Sequence, residues 1–319
     1  MRHDLLNWRC ALLLAIACLA IASPAQAADA YPSRSITMVV PFPPGGGADI
    51  LGRVIGQRLS EIWHQPIVVD NRSGAAGIVG ANAVAKSKPD GYTLLMAASG
   101  AVVASNIKDL APISLVTAPP YMLLLNAQVP VSSTKEFIAY IKARPGKLNF
   151  ASSGVGSASH LAAELFMGLT GTKMTHVPYK GIGQAVSDLI GGQVEVMFGP
   201  PPAVLKHIQA KTLKALAVTS SQRSSLFPDY PTVAEAGVAG YEAVGWYGLL
   251  GPAAMPKEII VKISTEVARI LQVPLVNERL TAMGSTPVGS SPEEFARFLN
   301  DDSAKWTSLM TKAGLPIPQ

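Results

Sequence analysis

The chain has 319 residues, of which 49% are hydrophobic and 15% charged. That composition excludes global disorder and leaves room for two ordinary domains or one large one. The 26 Lys and Arg against 21 Asp and Glu leave a net charge of +5 without any clustered basic run, so the balance does not argue for nucleic acid and suits a small anionic ligand.

The first 27 residues read as a secretory signal peptide. Arg2 and Arg9 form a positive start, residues 10–22 are an uninterrupted apolar run, Ser23-Pro24 breaks it, and Ala25-Gln26-Ala27 is an A-x-A cleavage site. The run is too short to span a bilayer, so a cleaved, exported, periplasmic protein is expected. Ala15-Ile16-Ala17-Cys18 loosely imitates a lipoprotein box. It lacks the preferred Leu and precedes a clean cleavage site, so lipidation of Cys18 is not expected. Cys10 and Cys18 both lie inside the peptide, which excludes disulfides, thiolate nucleophiles and cysteine metal sites from the mature chain.

Beyond residue 30, short β-branched runs alternate with helical patterns, the α/β signature. A strand at residues 36–40 runs into Pro41-Phe42-Pro43-Pro44-Gly45-Gly46-Gly47 and a helix from about Asp49, with Leu51, Val54, Ile55, Leu59 and Ile62 at the spacing of a buried stripe. Residues 67–69 form the next strand. It ends in Asn71-Arg72-Ser73-Gly74-Ala75-Ala76-Gly77, and a small-residue helix follows to Ala85. Residues 93–97 form a third strand, and Ser99 just beyond it joins the candidate ligand set. After Pro145-Gly146 the pattern restarts with a strand at 148–151, a glycine loop at 152–157, a helix, and a strand at 174–177 before Tyr179-Lys180-Gly181. Further strands follow at 194–198, ending in Gly199-Pro200-Pro201-Pro202, and at 213–218. Residues 36–71 and 148–180 thus share a strand–loop–helix–strand order.

Segments 121–129 and 241–250 read as crossings between these two sets. Three helices close the chain, the last with Ser291 as N-cap, Pro292 at N1 and Glu294 at N3. The expected division is residues 28–125 plus 246–319 for one lobe and 126–245 for the other, hinged by two crossing strands.

Enzyme signatures are absent: no G-x-x-x-x-G-K-[ST], no H-E-x-x-H, no G-x-S-x-G. His64, His160, His176 and His207 do not pair at metal-ligand spacing, and no catalytic residue, metal or cofactor is expected. What remains is a set of small-residue loops at strand C-terminal ends, where open α/β sheets bind ligands and helix N-termini receive anions. Gly45, Gly46 and Gly47 let backbone N–H groups approach a ligand, Ala75, Ala76 and Gly77 do so at the second turn, and Ser152, Ser157 and Ser159 bring hydroxyls from the other lobe. Asp49 sits near a helix start, as a cap or as a partner for an amine-bearing ligand. Tyr179 and Lys180 follow a strand end. Phe42 and Phe198 either cover the apolar part of a ligand or pack in the core.

The ordered set of Val40-Pro41-Phe42-Pro43-Pro44-Gly45-Gly46-Gly47-Ala48-Asp49, Asn71-Arg72-Ser73-Gly74-Ala75-Ala76-Gly77, Lys88-Pro89-Asp90-Gly91-Tyr92-Thr93, His176-Val177-Pro178-Tyr179-Lys180-Gly181 and Pro231-Thr232-Val233-Ala234-Glu235-Ala236-Gly237 resembles the Bug family of extracytoplasmic solute receptors, the binding proteins of tripartite tricarboxylate transporters. The likeness runs over essentially the whole mature chain. It implies a two-lobed periplasmic-binding-protein fold (a Venus flytrap, type II-like). It also implies a carboxylate held largely by backbone groups and bridging waters around residues 42–47 and 75–77, with Ser152 and Ser157 opposite. The implied partners are a small organic carboxylate and integral-membrane transporter subunits, and the protein is expected to be monomeric and not an enzyme. One departure stands out: many relatives carry an acid where this chain has Gly199, which makes an amino acid a less suitable ligand. Two other uses of the same cleft stay open from sequence alone, a secreted hydrolase-like enzyme and a receptor that signals to a sensor.

Overall fold

Among the described residues the apolar runs form two five-stranded sheets with helices packed against them. The computed structural model describes residues 31–100 and 107–313. The expected signal peptide and both cysteines lie outside them. The architecture below belongs to one compact unit, Arg34–Gln319.

The first sheet contains β1 (Ile36–Val40), β2 (Ile67–Asn71), β3 (Thr93–Ala98), β4 (Leu110–Thr117) and β10 (Tyr247–Pro252), in the order β2-β1-β3-β10-β4. The second contains β5 (Met122–Asn126), β6 (Asn149–Ser152), β7 (Thr175–Pro178), β8 (Val196–Gly199) and β9 (Leu213–Val218), in the order β7-β6-β8-β5-β9. The two orders correspond position by position, so the repeat read from residues 36–71 and 148–180 extends to whole sheets. In each, one strand runs antiparallel to both neighbours: β10 in the first, β5 in the second. Both are strands that enter from the other sheet. A chain arriving across the hinge meets the strand ends from the cleft side and runs opposite to the strands built by right-handed βαβ units.

Helices α1 (Gly47–Trp63) and α2 (Ile78–Ala85) connect the parallel strands of the first sheet; α3 (Thr134–Lys142), α4 (Ala158–Thr170), α5 (Ile182–Ile190) and α6 (Pro201–Gln209) serve the second. After β10 come α7 (Lys257–Gln272), α8 (Pro274–Ala282) and α9 (Pro292–Ala313). The apolar stripe of α1 is buried at Leu51, Val54, Ile55 and Leu59, whereas Ile62, expected in it, is 45% exposed in the last turn before His64 ends the helix in a left-handed conformation. The capping box of α9 forms on both sides: Ser291 Oγ accepts from Glu294 N at 3.2 Å, and Glu294 Oε2 accepts from Ser291 N at 2.9 Å.

Two features correct the expected lobe division. The boundary at 125 falls inside β5, whose residues Met122–Leu125 pair with β8, so the first crossing lies at 118–121. Helix α9, assigned wholly to the first lobe, belongs to both. Its Phe295 and Leu299 pack with Val39, Leu95, Trp246 and Leu250 under the first sheet, while its Trp306 is buried with Phe150, Phe166 and Tyr241 under the second. Burying a large side chain is worth roughly 1.5–3 kcal/mol, enough to anchor each end of the helix separately. Between these anchors Asp302 accepts from the Trp246 indole N–H through Oδ2 and from the Trp306 indole N–H through Oδ1, each at 2.8 Å. Trp246 is the last residue of the second crossing, so one carboxylate ties the hinge to the core of the second lobe. The crossings themselves touch through a bridge between Pro120 and Val244.

Candidate functional site

Strand register sets where the loops meet. Val40 lies beside Asn71, so the loops after β1 and β2 leave the sheet together, joined by Arg72 N to Val40 O at 2.8 Å. In the second sheet Ser152 lies beside Pro178, and Tyr179 N donates to Ser152 O at 3.0 Å. These loop pairs face one another across a cavity of about 430 Å³ bordered by Phe42, Gly46, Ser99, Tyr121, Lys180, Ile182, Pro200 and Tyr247. The lobes touch around it. A Cβ on Gly181 would stand 2.8 Å from Pro43 Cδ, one on Gly100 2.9 Å from the Ser157 Cα, and one on Gly154 3.4 Å from Ala76 Cβ.

Two helices from opposite lobes aim their N-termini into this cavity. Gly46, Gly47 and Ala48 at the start of α1 line it from one side, and Gly181, Ile182 and Gly183 at the start of α5 from the other. Neither helix has a side-chain cap: the N-caps are Gly46 (φ −80°) and Gly181 (φ −178°), both extended. Each leaves first-turn N–H groups and about half a positive charge directed at the enclosed space. Lys180 is the one formally charged residue among the described residues that line the cavity.

Several expected ligand residues are placed otherwise. Phe42, Gly46, Gly47 and Ser99 line the cavity; Gly45 does not, but it takes the positive φ of the loop, 87°. Asp49 is buried and turned away. Its carboxylate accepts from Gly45 N at 3.0 Å, Asn71 Nδ2 at 3.0 Å and the Arg53 guanidinium at 2.9 Å, while Asn71 Nδ2 also donates to Phe42 O at 3.0 Å. Burial pushes the Asp49 carboxyl up, and these donors more than reverse it, leaving it below the ordinary aspartate range. Asp49 therefore pins the first loop rather than meeting an amine. Ala75 and Ala76 hold φ of 45° and 52°, two consecutive alanines in the left-handed region, and Gly77 at 99° caps α2. Such conformations cost of order 1–2 kcal/mol per residue. This strained turn meets Gly154 at the rim and does not line the cavity.

In the second lobe the three expected serines point inward. Ser157 Oγ donates to Gly154 O at 2.7 Å, Ser159 Oγ accepts from Ser153 N at 3.0 Å, and Ser152 Oγ lies 2.6 Å from His176 Nε2. They shape the loop, and Ser153 lines the cavity instead. Tyr179 donates to Asp188 on α5 at 2.7 Å, and the neighbouring Lys180 lines the cavity. Phe198 is a core residue, 5.6 Å from the Phe166 ring and 6.1 Å from Tyr241. Gly199 is packed below the cleft floor, where a Cβ would stand 2.9 Å from Leu124 Cδ1.

The structure also joins two histidines that the sequence kept apart. His160 and His176 stack with ring centroids 4.0 Å apart, and Phe150 stacks on His176 at 4.8 Å. Gly156 N donates to His160 Nδ1 at 3.1 Å, which puts the His160 proton on Nε2, toward Glu164 at 3.5 Å. Burial, reinforced by His160, lowers His176 to about 4, so it is neutral. Ser152 beside it is fully buried and bonded to both backbone groups of Gly154, which seals this serine–histidine pair from the cavity. Among the described residues no group of three or more His, Cys, Asp or Glu could hold a metal ion, and no helix is long and apolar enough to cross a membrane.

Residues 51–315 match the family model described as "Tripartite tricarboxylate transporter family receptor". The chain belongs to that family. It is 41% identical to Protein BugT of Bordetella pertussis over 95% of this chain and 96% of that protein. Among solved structures it resembles R. palustris Rpa4515 with adipate (35% identity, TM-score 0.85, 89% of this chain and 98% of that one). It also resembles MatC from Rhodopseudomonas palustris with bound malate (32% identity, TM-score 0.83, 88% and 99%). The two-lobed periplasmic-binding-protein fold of these receptors is the fold found here, and the family consists of solute receptors. The residues missed from sequence are chiefly Tyr121 and Tyr247. Each stands at the inner end of a crossing segment, and an aromatic at both ends of the hinge was the available signal.

Proposed function

We propose that this protein is a periplasmic receptor that closes its lobes on a small organic carboxylate and delivers it to the membrane subunits of a tripartite transporter. The carrying observation is the pair of uncapped helix N-termini, one per lobe, converging with Lys180 on a cavity that no acidic side chain among the described residues lines. A carboxylate meets positive potential from both lobes, so its binding favours the closed state. An ammonium group would find no counter-charge there, and the space at Gly199 is filled. The cavity volume of about 430 Å³ lies in the ordinary range of small-molecule sites, and the walls of Phe42, Pro43, Tyr121 and Pro200 suit an apolar body. The named ligands of the two relatives, adipate and malate, belong to the same chemical class. The signal-peptide pattern of residues 1–27 supports export to the periplasm, and the burial of Ser152 supports a receptor rather than a hydrolase.

The test is a thermal-shift and calorimetric screen of C4 to C8 dicarboxylates and benzoates against their amides. At 100 times its dissociation constant a ligand of the native state stabilises by about 2.7 kcal/mol. Equal shifts from acid and amide would end the carboxylate reading.

A further inference from the structure

Among the described residues six polar side chains border the cavity, and five have an evident engagement elsewhere or stand at the mouth. Ser99 Oγ accepts from Trp246 N at 3.3 Å and lies 3.5 Å from Tyr121 Oη, which engages both. Ser153 Oγ lies 3.3 Å from Ser159 Oγ. Lys180 and Gln184 are exposed at the entrance. The sixth is Tyr247, the first residue of β10. It is 4% exposed and lines the cavity, and its hydroxyl makes no hydrogen bond to a described residue and is not among the buried polar atoms left without a partner, so it opens onto the cavity. A phenol whose ring is buried and whose hydroxyl opens onto the cavity can donate to a group that enters it.

Its position says what the partner is. The Tyr247 hydroxyl occupies the place where Gly47 would carry a Cβ, and the phenol Cζ lies 2.7 Å from that point. Gly47 is the first residue of α1, so the hydroxyl stands over the open N-terminus of the helix, beside the unused first-turn N–H groups. Any side chain at 47 would evict it. Burial, with Tyr121 adding to it, holds the Tyr247 phenol well above its ordinary range, so it remains a proton donor across the physiological range.

We propose that Tyr247 is a specificity-determining residue whose hydroxyl donates to the ligand carboxylate seated at the α1 N-terminus. This rests on the carboxylate reading and adds a named donor to it. The ligand end at this site must present an acceptor oxygen, and the rings of Tyr247, Tyr121 and Phe42 hold the apolar chain behind it.

The experiment first titrates the wild-type protein with succinate, adipate, suberate and benzoate by calorimetry and takes the tightest as probe. Tyr247→Phe keeps the ring and removes the donor. Its affinity for that probe should fall by about 10- to 100-fold, the worth of a hydrogen bond to a charged group. The melting temperature of the ligand-free protein should stay unchanged, because no protein partner is lost. Gly47→Ala, which displaces the hydroxyl without removing it, should weaken the same probe. Wild-type binding with a Tyr247→Phe affinity within threefold would overturn the role of Tyr247 and leave the carboxylate reading standing. Failure of all four acids to bind the wild type would overturn both.

Discussion

Acid should weaken this fold through one histidine. His176 stacks against both Phe150 and His160, with Ser152 Oγ at 2.6 Å, and burial, with His160 adding to it, lowers it from 6.5 to about 4. In the folded protein it stays neutral at pH 5, whereas in the unfolded chain it takes up a proton below about 6.5. The unfolded state then binds more protons, so stability rises with pH across this window. Its contribution is complete above pH 6.5 and is lost as pH falls toward 4. Two and a half pH units at about 1.36 kcal/mol each set a ceiling near 3 kcal/mol, and partial solvent contact of the ring brings the expected value to about 2 kcal/mol. Urea denaturation of wild type and His176→Gln at pH 7.5, 6, 5 and 4.5 reads this directly. The variant loses stacking at every pH, but the gap between the two proteins should narrow by about 2 kcal/mol from pH 7.5 to 4.5. Parallel curves would mean that His176 titrates normally and that the stack does not exclude its charged form.

Two further substitutions probe closure and the hinge. Gly181→Ala should cut carboxylate affinity at least tenfold with little change in melting temperature. At φ −178° the backbone accepts any residue, and the new methyl would collide only with Pro43 across the cleft. Unchanged affinity in calorimetry would show that the lobes close without this contact. Asp302→Asn should lower stability by about 1–3 kcal/mol, because an amide presents one acceptor oxygen to two indole N–H groups. Changed tryptophan emission should accompany that loss in chemical denaturation, and a variant as stable as wild type would show that α9 is held by Phe295 and Trp306 alone.

Much of the architecture was legible because it is written in local periodicities. The apolar stripe of α1, the capping box at Ser291, and the glycine loops after β1 and β6 each depend on residues within a few positions of one another. The sequence by itself therefore determined two similar α/β halves, two crossings between them and loops suited to an anion. It could not decide which way a polar side chain turns, because that depends on partners far along the chain. Asp49 faces Asn71 and Arg53, Ser152 faces His176, and the boundary at 125 failed because β5 pairs with strands about 70 and 90 residues later. Long-range partners also bring Tyr247 to the cavity: β10 inserts between β3 and β4, and that register sets its ring against Gly47, 200 positions earlier. A hydroxyl near a glycine loop is local information. Whether it serves the loop or the ligand is settled only when the second sheet closes over the first and every donor must find an acceptor.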